Sequence, residues 1–104
     1  WCEGIGLPAR RAGCTHVFHQ YVLRCRDRDG LQAALKGRGI GTNIHYPAPV
    51  HLQPAYQDRV AIGAGGLKES ERAAREVLSL PIFPELGEDH AARVVAALKE
   101  ISSG

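Results

Sequence analysis

Apolar and polar positions alternate in short blocks along this chain, and each block predicts one small element. Residues 16–23, His-Val-Phe-His-Gln-Tyr-Val-Leu, are β-branched and aromatic. On an extended backbone Val17, Tyr21 and Leu23 fall on one face and Phe18 and Val22 on the other. A strand apolar on both faces is expected at the centre of a sheet covered twice, or against another domain. A polar turn follows, where Asp27 or Asp29 can cap a helix running to about Lys36, with Leu31, Ala34 and Leu35 as its stripe and Gly37 or Gly39 as its stop. Residues 40–46 predict a second short strand, closed by Pro47 and Pro49.

Residues 47–66 are irregular, with at most one helical turn near residues 53–57, and a loop of that length in a small domain is usually functional or mobile. Residues 69–77 predict a short helix with Ala73, Ala74 and Val77 inward. Residues 78–82 predict a third strand, which Pro81 puts at an edge or a strand end. The last helix follows the acidic turn Glu88-Asp89, with Ala91, Val94, Val95, Leu98 and Ile101 at helical spacing on one face. Residues 1–15 have no periodicity and read as a connector, leaving residues 16–104 as the domain. The order of elements predicts an α+β domain, a small mainly antiparallel sheet with helices on one face. Its other face needs a cover that little of this chain is left to supply.

Composition narrows the classes. The 104 residues fit one small domain, and a standalone enzyme with a large cofactor site would be cramped in it. No apolar run approaches the roughly 20 residues that cross a bilayer, and Trp1-Cys2-Glu3-Gly4 has none of the features of a signal peptide. The chain has no methionine at all, so it is expected to be a piece of a longer protein. A net charge of +2, with acidic and basic residues interleaved, gives no stripe for nucleic acid. Cys2, Cys14 and Cys25 fit no disulfide or zinc spacing and read as reduced thiols of a cytoplasmic protein.

The densest chemistry lies in His45-Tyr46-Pro47-Ala48-Pro49-Val50-His51-Leu52-Gln53-Pro54-Ala55-Tyr56. Imidazoles and phenols on a proline-stiffened loop at a strand end can be held towards a ligand. The same residues also suit a purely structural loop whose tyrosines pack. His45 and His51 lack metal-ligand spacing, and no carboxylate or cysteine lies between them. His16 and His19, three apart in a strand, point to opposite faces. Gly37-Arg38-Gly39-Ile40-Gly41 has the wrong spacing and context for a dinucleotide loop, and Gly63-Ala64-Gly65-Gly66 has no phosphate-loop context. Ser70 reads as a helix cap or first-turn residue, and Ser79 has no neighbouring histidine or acid in sequence.

Three stretches taken together resemble the C-terminal domain of the DegT/DnrJ/EryC/StrS-type sugar aminotransferase family. They are His16-Val17-Phe18-His19-Gln20-Tyr21-Val22-Leu23, then Gly39-Ile40-Gly41-Thr42-Asn43-Ile44-His45-Tyr46-Pro47 on to Tyr56, then residues 71–86 with Leu78-Ser79-Leu80-Pro81 at their centre. With the final helix they cover residues 16–101 in the family's order. The resemblance implies the small domain of a fold-type-I enzyme that uses pyridoxal 5'-phosphate to move an amino group from glutamate to a nucleotide-linked keto sugar. It also implies a homodimer and a large N-terminal domain that holds the cofactor on a lysine. Lys36, Lys68 and Lys99 do not match that lysine, so no catalytic residue is expected in this chain. Carried over by position, His45, Tyr46 and His51 are expected to touch substrate, Tyr46 by a hydrogen bond to a sugar hydroxyl or phosphate oxygen and His51 in the same way or by supporting the loop, with Asn43 a further candidate. A relative using the same fold for sugar dehydration is an open alternative, since that distinction is made at the cofactor lysine position, which this chain does not contain. A non-enzymatic interaction or dimerisation module is the competing class, motivated by an apolar sheet face without a cover.

Overall fold

Leu23 and Leu78 lose all contact with water, and they sit opposite one another on adjacent antiparallel strands. The computed structural model describes residues 4–103, arranged as β1 (Ile5–Gly6), β2 (Tyr21–Cys25), α1 (Arg28–Gly37), a 3-10 turn (Val50–Leu52), α2 (Lys68–Glu76), β3 (Val77–Leu80) and α3 (Glu88–Ser103). The sheet order is β1-β2-β3, antiparallel throughout, with Tyr21 opposite Leu80 and Ile5 opposite Cys25. Leu31 and Leu35 of α1 and Val94, Ala97 and Leu98 of α3 close with Leu23, Ile40 and Leu78 into one core. The α+β class and the antiparallel sheet agree with the sequence pattern.

The local signals act as expected in α1. Asp27 caps it, its side chain accepting from the Gly30 N–H at 3.1 Å. The helix stops where Gly39 takes φ +74°, a conformation a side chain resists. Arg93 of α3 donates to the Arg38 carbonyl beside it at 2.8 Å, tying the two helices together.

The structure departs from the expected elements in five places. The central strand begins at Tyr21, not at residue 16, because Tyr21 pairs with Leu80 and the next partner, Pro81, has no N–H to offer. Residues 16–20 turn instead: the Phe18 N–H donates to His16 Nδ1 at 2.8 Å, and the Phe18 ring stacks on His16 at 4.3 Å. Within the expected connector, Ile5–Gly6 adds an edge strand to the sheet.

The strand expected at residues 40–46 reduces to one bridge, Asn43 with Ser79. The Ile40 N–H is already taken by the Leu35 carbonyl, and Pro47 has none. The helical turn in the long loop forms at Val50–Leu52 rather than at residues 53–57. On α3 the buried row is Val94, Ala97 and Leu98, with Ile101 partly covered, while Val95 is 49% exposed and Ala91 is also exposed.

The junction between α2 and β3 has no linker, Glu76 being followed directly by Val77. Arg28, only 9% exposed, donates from Nη1 to the carbonyls of Ala74 (3.1 Å) and Val77 (3.2 Å), occupying acceptors the helix end leaves free. An Arg24–Glu76 ion pair at 2.8 Å lies beside it.

Core geometry separates the two candidate faces of α3. Leu78→Ala is expected to lower unfolding free energy by roughly 2–5 kcal/mol, whereas Val95→Ala changes it by less than about 0.5 kcal/mol. Urea unfolding measures both, and equal losses would contradict the assigned core.

Candidate functional site

β3 turns Leu78 into the core and Ser79 to the opposite face, where Ser79 is nonetheless 5% exposed. It is covered by the segment that follows α1. The Asn43 N–H donates to the Ser79 carbonyl at 3.1 Å, and the Ser79 N–H donates back to the Asn43 carbonyl at 2.7 Å. Two residues on, His45 Nδ1 meets the Ser79 hydroxyl at 2.8 Å. The segment thus adds one bridged pair to the edge of β3 and brings His45 to the side of the sheet where the Ser79 hydroxyl stands.

Tyr46 follows His45 and turns the other way. Its ring stands edge-on to the imidazole, with centroids 5.6 Å apart, and its side chain is 71% exposed. Pro47 and Pro49 then restrict the backbone up to the 3-10 turn, where the Leu52 N–H donates to the Pro49 carbonyl. His51 in that turn is buried, at 8% exposure, and its Nε2 lies 3.0 Å from Glu71 Oε1. A carboxylate only accepts, so Nε2 carries the proton in this bond. Glu71 lies in the first turn of α2, where the helix dipole favours a negative charge.

Two clefts open on either side of His45. One, of about 480 Å³, is bordered by His45, Tyr46, His51, Ile62, Leu67 and Val77 and is mostly apolar. The other, of about 520 Å³, is bordered by His19, Asn43, His45, Ser79, Ile82 and Phe83. Of the four residues singled out from sequence, His45, Tyr46 and His51 therefore share one cleft, and Asn43 borders its neighbour. Asn43 has both backbone groups committed to Ser79, leaving its side chain for any contact.

Ser79 and Glu71 carry the geometry, and the sequence did not single them out for it. Their partners lie 34 and 20 residues away along the chain, beyond any local spacing. Chemically the site offers one exposed phenol, one half-buried imidazole and apolar walls, a set suited to binding and orienting a polar ligand.

Lys36, Lys68 and Lys99 are all exposed, and none borders either cleft. Among the described residues, neither of these two clefts presents an amine of the kind that holds the aldehyde carbon of pyridoxal phosphate. Among the described residues no group of three histidine, cysteine or acidic side chains is placed to hold a metal ion. No described helix is long and apolar enough to cross a membrane.

Comparison with known proteins gives a consistent result. The model of the DegT/DnrJ/EryC1/StrS aminotransferase family matches residues 3–99. The dTDP-3-amino-3,4,6-trideoxy-alpha-D-glucose transaminase of Streptomyces venezuelae is 46% identical over 97 residues, 93% of this chain and 25% of the relative. A Geobacillus stearothermophilus protein named pleiotropic regulatory protein is 48% identical over 93 residues, 89% of this chain and 25% of the relative. Among solved structures, S. venezuelae DesV in complex with a ketimine intermediate superposes with a TM-score of 0.92 at 43% identity, covering 99% of this chain and 28% of that one. The chain spans about a quarter of the length of the curated relatives it matches.

Removing the Ser79 hydroxyl isolates its role. Ser79→Ala is expected to cost about 1 kcal/mol of stability and to speed amide hydrogen exchange at Asn43 and through the following residues. Unchanged exchange there would show that the hydroxyl does not hold the loop.

Proposed function

This chain belongs to the DegT/DnrJ/EryC1/StrS aminotransferase family, and from that premise we propose that it is the C-terminal, sugar-facing part of a pyridoxal-phosphate-dependent transaminase. The proposed reaction moves an amino group from glutamate to the ketone of a nucleotide-linked sugar, leaving 2-oxoglutarate and an amino sugar. Residues 16–104 form the small domain in this reading, and residues 1–15 lead from the large one, with Ile5–Gly6 paired onto the small domain's sheet. The full enzyme is proposed to be a cytoplasmic homodimer. The observation that carries the reading is the superposition on DesV along 99% of this chain, at 43% identity.

The cofactor, bound by the part of the enzyme outside these residues, supplies the electron sink for the transfer. What this chain contributes is position. Tyr46 projects from the cleft rim with its hydroxyl available to donate to a sugar hydroxyl or a phosphate oxygen. His45, already bonded to Ser79, backs the phenol edge-on and limits the rotamers it can take. Val50, Ile62 and Leu67 line the same cleft with apolar surface, and excluding water there strengthens a hydrogen bond made by Tyr46. Asn43 offers its amide from the neighbouring cleft. His51, buried on Glu71, supports the loop rather than reaching out of it.

A second reading, a non-enzymatic interaction or dimerisation module, draws on the regulatory name of the G. stearothermophilus relative and on exposed Ile82 and Phe83. One assay separates the two. In the full-length protein, nitrogen-15 from labelled glutamate is expected in the sugar product by mass spectrometry. Tyr46→Phe is expected to raise the KM for the nucleotide-linked sugar about tenfold, as loss of a hydrogen bond to a charged or polar group does. Absence of any label transfer with keto sugars would reject the transaminase in favour of the module, and an unchanged KM in a folded Tyr46→Phe protein would reject the role given to Tyr46.

A further inference from the structure

We infer that Glu71 is a positioning residue for the sugar substrate, acting through buried His51 to fix where Tyr46 stands, an inference that rests on the role proposed for Tyr46. The segment from His45 to His51 is held at both ends by side chains from one continuous piece of structure. His45 is fastened to Ser79 of β3 at 2.8 Å, and His51 to Glu71 of α2 at 3.0 Å. Helix α2 runs directly into β3, and Arg28 clamps that junction through the Ala74 and Val77 carbonyls. The two anchors therefore cannot drift apart without bending the junction. Between them Pro47 and Pro49 remove backbone freedom, and the 3-10 turn fixes His51 relative to Pro49.

The loop is thus a short bridge across a rigid bracket, with Tyr46 as its exposed member. Burial sets the direction of influence. His51 at 8% exposure has little surface to give a ligand, and its ring proton is already committed to Glu71. Tyr46 at 71% exposure has no hydrogen-bond partner of its own among the described residues. Losing the Glu71 carboxylate frees the far end of the bridge and leaves a buried imidazole N–H unpaired. The phenol then samples more positions, and its contact with substrate weakens although the phenol itself is untouched.

A double-mutant cycle on the full-length enzyme tests this, with KM measured for the nucleotide-linked keto sugar and for glutamate in each variant. Glu71→Ala is expected to raise the sugar KM about tenfold and to leave the glutamate KM unchanged, while in a Tyr46→Phe background it adds less than about twofold. Glu71→Gln, which keeps an acceptor oxygen, is expected to bring the sugar KM back to within about threefold of the parent. Should Glu71→Ala not yield soluble enzyme, Glu71→Asp, which withdraws the carboxylate from His51 by one methylene, takes its place in the cycle with the same expected pattern.

Three results would overturn the inference: an equal effect of the Glu71 change with and without Tyr46, an equal rise in both KM values, or no rise in the sugar KM. A Tyr46→Phe enzyme with the parental sugar KM would instead remove the role of Tyr46 itself. That outcome is read without any Glu71 variant, so the two failures are distinguishable.

Discussion

Ser79 makes three hydrogen bonds at once, two through its backbone to Asn43 and one through its hydroxyl to His45. Its neighbours Leu78 and Leu80 meanwhile face or flank the core. A residue buried on the polar side of a strand is costly unless every donor and acceptor is matched. Here the matching partners come from the segment that carries the candidate site. The strand that organises the core therefore also dictates where the loop lies, and anything that shifts β3 shifts His45 with it. Glu71, eight residues earlier and on the helix that feeds the same strand, extends that control to His51.

Under the proposed reading, the chain's share of the chemistry is to shape and hold one wall of a pocket lined by Tyr46 and His45. Such a wall gains from stiffness: prolines in the loop, a buried guanidinium at the helix-strand junction and paired histidines at both ends all reduce the freedom a bound ligand would have to suppress. The exposed apolar side chains at Ile82 and Phe83, on the rim of the second cleft, belong to the same face of the molecule as Asn43.

Much of this was legible in the sequence, and the exceptions are instructive. The helix after Asp27 follows from its cap and spacing, and the terminal helix from its acidic first turn and spacing, because both are decided by residues within a turn or two of one another. Strand β2 was legible as central but not in its extent, since its start depends on where Pro81 ends a partner nearly sixty residues away. Residues 40–46 have strand composition but find only one bridged pair, an outcome set by the prior use of the Ile40 N–H.

For the site, the histidine and tyrosine cluster stood out as a composition, and the structure brings His45, Tyr46 and His51 to one cleft. The division between an exposed Tyr46 and a buried His51 could not be read from it, because Glu71 and Ser79 are distant in sequence and unremarkable in local pattern.

The central claim is that a loop fastened to α2 and β3 presents Tyr46 to a sugar substrate. The most direct test is a crystal structure of the full-length enzyme with its nucleotide-linked sugar bound. The account predicts the Tyr46 hydroxyl within about 3.2 Å of a ligand oxygen, with His51 still on Glu71 and His45 still on Ser79. A bound sugar that leaves Tyr46 in solvent, or that reaches His51 only after the Glu71 contact has opened, would contradict it.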